Sequence, residues 1–89
     1  MLIPKLTSAY KRDIRQAAAR GWDINNKLLP PLDILMNKEL LPPQYKDHSL
    51  KGEWAGYREF HAEDDWIVIY RVVGEFLVLA RTGTHSDLF

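Results

Sequence analysis

The chain has 89 residues, no cysteine, and twelve basic side chains against twelve acidic ones. That length suits one domain with a single core, read as spanning 1–89. The lack of cysteine excludes a disulfide frame and a thiolate metal site, and no stretch is apolar enough to span a bilayer. Met1-Leu2-Ile3-Pro4-Lys5 also lacks the long apolar core of a signal peptide, so a cytoplasmic protein is expected.

Charge is unevenly spread. Lys5, Lys11, Arg12, Arg15 and Arg20 meet only Asp13 in the first twenty residues, while Glu63-Asp64-Asp65 gathers acid later, a polarity that points to an anionic partner. Leu2–Leu6 reads as a short edge strand, with Pro4 keeping it at a sheet margin. Thr7 or Ser8 can cap a helix to Arg20, closed by Gly21. Tyr10, Ile14, Ala17 and Ala18 share one side of it, and Ser8, Lys11, Arg12 and Arg15 the other. The simplest reading of the basic stripe is a solvated face.

Asp23 can cap a second helix in which Leu28, Leu32, Leu35 and Met36 share a side, but Pro30-Pro31 interrupts it. A proline inside a helix removes a hydrogen bond and pushes its predecessor out of helical space. The sequence therefore predicts either a separate first turn at Asp23–Leu29 or a sharp kink, with the regular helix running from about Pro30 to Lys38. Leu41-Pro42-Pro43-Gln44 forces an extended exit into Tyr45-Lys46-Asp47-His48.

From there the period changes to two. Trp54–His61, Trp66–Val72 and Phe76–Thr82 read as strands, with turns at Ala62–Asp65 and Val73-Gly74, giving an antiparallel meander. Trp66, Val68, Tyr70 and Val72 face one way, and Ile67, Ile69 and Arg71 the other. Both sides are mostly apolar, so helices should cover one face and leave the other partly open. The expected fold is α+β: a small antiparallel sheet of about four strands with two N-terminal helices packed on one face.

His48, His61 and His85 all lie among polar or turn-forming residues. Any one alone reads as an ordinary surface histidine; their convergence changes the reading. Folding at Gly74 brings Asp65-Trp66 beside Arg81 and the residues that follow, with His61 closing the preceding strand and His85 following the last. Cleaving RNA by its own 2′-hydroxyl needs a base for that hydroxyl, an acid for the departing 5′-oxygen, and positive charge on the phosphate. Two histidines with a carboxylate, plus Arg81, supply those parts without a metal. His61 and Asp65, flanking one turn, are expected to work as a pair on the base side, which leaves His85 as the acid, though His48 and His85 could exchange roles. A two-histidine, one-carboxylate metal site through His61-x3-Asp65 is the lesser alternative. Arg58 and Arg71 read equally as ion-pair or phosphate contacts. Trp54, Tyr57, Trp66 and Phe89 read as packing residues, of which Trp66 and Phe89 could instead stack on bases.

Tyr45-Lys46-Asp47-His48-Ser49-Leu50-Lys51-Gly52, Gly56-Tyr57-Arg58-Glu59-Phe60-His61, Asp65-Trp66-Ile67-Val68-Ile69-Tyr70 and Arg81-Thr82-Gly83-Thr84-His85-Ser86-Asp87-Leu88-Phe89 together resemble the YafQ branch of the RelE-type toxins. The resemblance covers the second half almost continuously. It implies a bacterial, ribosome-dependent mRNA endonuclease without a cofactor. A cognate antitoxin, DinJ-like and of the ribbon-helix-helix kind, would hold it inactive. It further implies that His48, His61, Asp65 and His85 form the catalytic set, that Arg81 holds the scissile phosphate, and that Trp66 and Phe89 place the message. Lys11, Arg12 and Arg15 would then meet ribosomal RNA. The same fold serves ParE-type toxins, understood to poison DNA gyrase by binding, which have no need of the histidine set. An inactive relative acting only as an antitoxin-bound corepressor is a third reading.

Overall fold

A computed structural model describes residues 1–89. Five strands form one sheet in the order β1-β5-β4-β3-β2: β1 Ile3–Leu6, β2 His48–Ser49, β3 Arg58–Glu63, β4 Trp66–Val73 and β5 Phe76–Gly83. β2 to β5 pair antiparallel, and β1 lies parallel to β5. The sheet thus has five strands rather than four and is mixed rather than antiparallel. The fifth strand, β2, is two residues long, too short to leave a period-two signal. β1 sits at the edge, where Pro4 is tolerated.

Thr7 caps α1 (Ser8–Ala19): its Oγ1 accepts from the Tyr10 amide at 3.0 Å and donates to the Ala80 carbonyl at 2.7 Å, joining the helix start to β5. The chain leaves the helix through Gly21 at φ 79. The two prolines act as expected of residues without a useful N–H. A separate π-helical turn, Ile24–Leu28, is capped by Asp23, whose carboxylate accepts from the Asn26 amide. α2 (Leu29–Met36) then starts afresh with Pro30 and Pro31 in its first turn, where amides have no intrahelical partner anyway. It stops short of Lys38, which adopts a left-handed φ of 61.

The strand expected from Trp54 begins only at Arg58. Gly52 and Gly56, at φ 67 and 91, fold the preceding segment into a 3-10 turn at Gly52–Trp54 and a tight loop. That loop supplies Leu50, Trp54 and Tyr57, which with Leu88 pack over Ile67, Ile69 and Ala80 on one face of the sheet. The helices cover the other face. There Tyr10, Ala17, Leu28, Leu32 and Leu35 bury themselves against Phe60, Trp66, Val68, Tyr70, Leu77 and Leu79. Each large apolar side chain so buried contributes about 1.5–3 kcal/mol. The β3–β4 turn is the two residues Asp64-Asp65, preceded by a bulge between His61 and Glu63; the β4–β5 turn is Gly74-Glu75. The first is tighter than expected, so β3 runs on to Glu63; the second is shifted by one residue, so β4 runs on to Val73.

Candidate active site

Cross-strand register assembles the site before any side chain is considered. His48 pairs with Glu59, Glu59 with Ile69, and Ile69 with Arg81, forming one row across four strands. Two residues along, His61 pairs with Ile67 and Ile67 with Gly83. Directly opposed residues share a face, so both rows lie on the side away from the helices. Phe60 points into the helix-covered core, which sends Glu59 and His61 to the opposite side.

Glu59 is the residue that sequence reasoning missed. It is only 5% exposed, and its carboxylate sits between two imidazoles: Oε1 lies 3.4 Å from His48 Nε2, and Oε2 lies 3.6 Å from His61 Nε2. Oε2 has no hydrogen-bond donor. The opposite edges of both rings are held by backbone. His48 Nδ1 donates to the Lys46 carbonyl at 2.7 Å, and His61 Nδ1 to the Asp64 carbonyl at 3.1 Å. A carbonyl only accepts, so each Nδ1 carries the hydrogen. The alternation Glu59, Phe60, His61, with one apolar residue between two ionisable ones, was the available signal.

His85 opens a short helix, α3 (His85–Leu88), just beyond β5. Its ring centroid is 5.9 Å from that of His61, close enough for both rings to reach oxygens of one phosphodiester. Asp65 Oδ1 accepts from the His85 amide at 3.0 Å and lies 3.4 Å from its Nδ1. The expected His61–Asp65 pair is therefore replaced by two others, His61 with Glu59 and Asp65 with His85. The cause is the tight Asp64-Asp65 turn: it offers His61 the Asp64 carbonyl and leaves Asp65 facing the end of β5. Phe89 is 61% exposed, with its ring 5.8 Å from His85.

α3 is locked in place by Asp87. Its carboxylate closes a capping box with Thr84 and takes a two-pronged contact from Arg20, at 2.7 and 3.1 Å. The Arg20 bond first, and the Thr84 amide second, hold the Asp87 carboxyl well below the usual carboxylate range.

Arg81 lies in the row with Glu59, but its Nε and Nη2 donate to Asp13 at 2.7 and 3.2 Å. Two of its five donors are used, leaving the rest for a phosphate. Asp13, 7% exposed, also accepts from the Thr82 amide at 3.1 Å. Trp66, expected to help place the message, is instead a core residue, 4% exposed. Its ring lies 4.9 Å from Trp22 and its indole N–H donates to Thr82 Oγ1 at 2.9 Å, because β4 turns it toward the helices. Lys11, Arg12 and Arg15 are all exposed on α1. Arg58 pairs with Asp47 at 3.2 Å, and Arg71 lies over the Tyr57 ring at 5.1 Å.

Several known proteins share this arrangement of chain. A family model described as the bacterial YafQ toxin of type II toxin–antitoxin systems matches residues 2–89. The "mRNA interferase toxin YafQ" of Escherichia coli strain K12 is 47% identical over 81 residues, covering 90% of this chain and 87% of that protein. Among solved structures, the E. coli DinJ–YafQ complex contains a chain 39% identical to this one, with a TM-score of 0.89 over 100% of this chain and 99% of that one. A copper-bound mutant toxin from Helicobacter pylori is 37% identical, with a TM-score of 0.95 and full coverage of both chains. His61 and Asp65 turn to different partners, so the alternative of a metal site through that pair is not assembled. The match over nearly the whole length, with similar relatives and superposable folds, makes this chain a member of the YafQ family of bacterial type II toxins.

Proposed function

We propose that the chain is an endoribonuclease, an mRNA interferase that cuts ribosome-bound message in the A site and so inhibits translation. Its relatives carry that name, and the convergence of His48 and His61 on Glu59, with His85 and Asp65 beside them, is the observation that supports the chemistry. His48 or His61 takes the proton of the 2′-hydroxyl, whose oxygen attacks phosphorus. His85 gives a proton to the departing 5′-oxygen, and the products are a 2′,3′-cyclic phosphate and a 5′-hydroxyl. Arg81, oriented by Asp13, offers its free N–H groups to the phosphate as charge builds. Exposed Phe89 stacks on a base, and Lys11, Arg12 and Arg15 meet ribosomal RNA. No helix is long and apolar enough to cross a membrane. We place the protein in the bacterial cytoplasm with its targets, restrained by a DinJ-like antitoxin.

Base, acid and phosphate clamp are all protein groups, so the reaction is metal-independent. Metal analysis of the isolated toxin tests this, and a stoichiometric ion held by His61 and Asp65 would contradict it. The function itself is tested by mapping mRNA ends after induction in a translating extract, with and without ribosomes. Cuts within the A-site codon that vanish without ribosomes support the proposal. Intact message together with inhibited gyrase would replace it by the ParE-type reading.

A further inference from the structure

The row beside the catalytic one carries positive charge that no carboxylate answers. Arg71 stands two residues beyond Ile69, about 7 Å along β4. Val78 faces it from β5, and Lys5 faces Val78 from β1, so both cations lie in one row across the sheet. Their neighbours settle which side they take. Pro4 and Leu6 line a cleft with Leu77, Leu79 and side chains of the helices, which sends Lys5 and Val78 to the opposite, catalytic face. Arg71 is on that face too, with its guanidinium 5.1 Å from the ring of Tyr57, which packs over Ile67 and Ile69.

Arg20, Arg58 and Arg81 each pair with an aspartate, whereas Arg71 and Lys5 enter no ion pair. Arg71 is half-buried, and its Nε is shielded from water with no hydrogen-bond partner. A guanidinium drawn partly out of water costs stability when no anion meets it. Each cation has an aromatic ring instead: Tyr57 for Arg71, and Phe76, 41% exposed, 5.5 Å from Lys5 Nζ. An aromatic face holds a cation in place without neutralising it. Unpaired cations interleaved with aromatic surface suit a single-stranded nucleic acid, which brings phosphates for the charge and bases for the rings.

The order of the rows gives this track a direction. His85 and Phe89 stand past the end of β5, His61 lies in the next row, and His48 with Arg81 in the one after; Arg71 and Lys5 come beyond. With His85 at the departing 5′-oxygen, the nucleotide that leaves lies toward α3. The nucleotide that supplies the 2′-hydroxyl, and the message upstream of it, then run over the sheet toward Arg71. A row spacing of about 7 Å is of the order of one phosphate-to-phosphate step in an extended strand.

We infer that Arg71 and Lys5 form an upstream message-binding track, in which Arg71 meets the first phosphate 5′ of the scissile one and Lys5 the second. This rests on the reading of the chain as an mRNA interferase with His85 as the acid. The track holds the 2′-hydroxyl nucleotide in line with phosphorus, so its binding energy is realised as rate.

The test uses full-length toxin on programmed ribosomes, in single turnover with ribosomes saturating. Arg71→Gln should cut roughly 10-fold more slowly, and the double variant with Lys5→Gln more slowly again. The ribosome concentration giving half the maximal rate should not change. Arg71→Lys should keep most of the rate, and Arg71→Gln should melt no lower than the natural chain, because it removes an unanswered charge. The deciding measurement neutralises the message instead. A methylphosphonate at the first or second phosphate upstream of the cut should slow the natural toxin but not slow the double variant further. The same group downstream should slow both alike. Upstream neutralisation that slows both proteins equally, or a normal rate in the double variant, would overturn the inference and leave the nuclease reading standing. A higher half-saturating concentration with a normal saturated rate would give the two cations to ribosomal RNA. Weakened antitoxin binding with normal cleavage would give them to the antitoxin, and either result overturns the track. Sensitivity confined to downstream phosphates would overturn its direction. No cut by the natural toxin would remove the nuclease reading itself, and the track with it.

Discussion

Asp13 and Arg81, 68 positions apart, hold each other through contacts of 2.7 and 3.2 Å. The same carboxylate accepts the Thr82 amide, so a helix side chain takes the place of a neighbouring strand where β1 has ended. Removing it leaves a buried amide and a half-buried guanidinium without partners. Breaking such a pair typically costs 3–5 kcal/mol, and the part exposure of Arg81 puts Asp13→Ala at about 3 kcal/mol. Urea unfolding of the isolated toxin measures this; a drop under about 1 kcal/mol would show that the pair contributes little.

The α3 segment should loosen in acid before the core does. The folded Asp87 carboxyl is held below its ordinary value of 3.8, chiefly by Arg20. For a depressed carboxylate, the stabilisation is fully present above the ordinary value. It is lost as pH falls from there through the folded value. NMR signals of His85 and Phe89 should therefore shift below about pH 4 while those of Ile67 and Val68 hold. Gly83→Ala should produce a similar release at neutral pH, since a Cβ there would lie 2.9 Å from Asp87 Oδ2 and 3.0 Å from its Cβ. The expected outcome is slower cleavage, together with a loss of roughly 1–3 kcal/mol in unfolding free energy, because Gly83 holds a φ of 155 that an L side chain adopts only under strain. Normal cleavage by Gly83→Ala would mean that α3 tolerates displacement.

Much of this is legible in the sequence, and the gaps have local causes. Thr7, Asp23 and Pro30-Pro31 mark the helix starts because caps and prolines act through their nearest neighbours. The pairing of β4 with β5 follows from alternation and Gly74. Trp54 reads as strand because an aromatic run resembles one until the positive φ of Gly52 and Gly56 is known. Asp13 sits among basic residues and looks solvated; only the third dimension gives it Arg81. Nearness in sequence assigns Asp65 to His61, whereas a two-residue turn aims it at His85. Glu59 escapes notice because an acidic residue on a strand usually faces water, and here the loop packed over that face excludes it.

Lys11, Arg12 and Arg15 are exposed and enter no ion pair, so their charge is free for an anionic partner. Replacing all three by Gln should weaken ribosome association. It should also reduce the slope of log affinity against log salt by about 2 to 3, since fewer phosphates are neutralised and fewer counterions released. The single-turnover rate at saturating ribosomes should stay unchanged. Equal affinity and slope would return the stripe to the role of a solvated face.

The direction of proton transfer is open to a chemical test at the leaving group. His85 meets Asp65 through Nδ1, which leaves Nε2 for the 5′-oxygen; a protonated ring has a hydrogen for each. His48 and His61 turn their Nδ1 edges to backbone carbonyls and lie on the Glu59 side. A 5′-bridging phosphorothiolate has a leaving group that needs little protonation. His85→Ala should lose about 10²- to 10⁴-fold on ordinary message and recover most of it on this substrate. Asp65→Ala should recover in part, because Asp65 acts through His85. His48→Ala and His61→Ala should stay as slow on the thio substrate as on the natural one, since the 2′-hydroxyl still has to lose its proton. Recovery of His61→Ala with His85→Ala still inactive would reverse the two sides of the mechanism and make His85 the base.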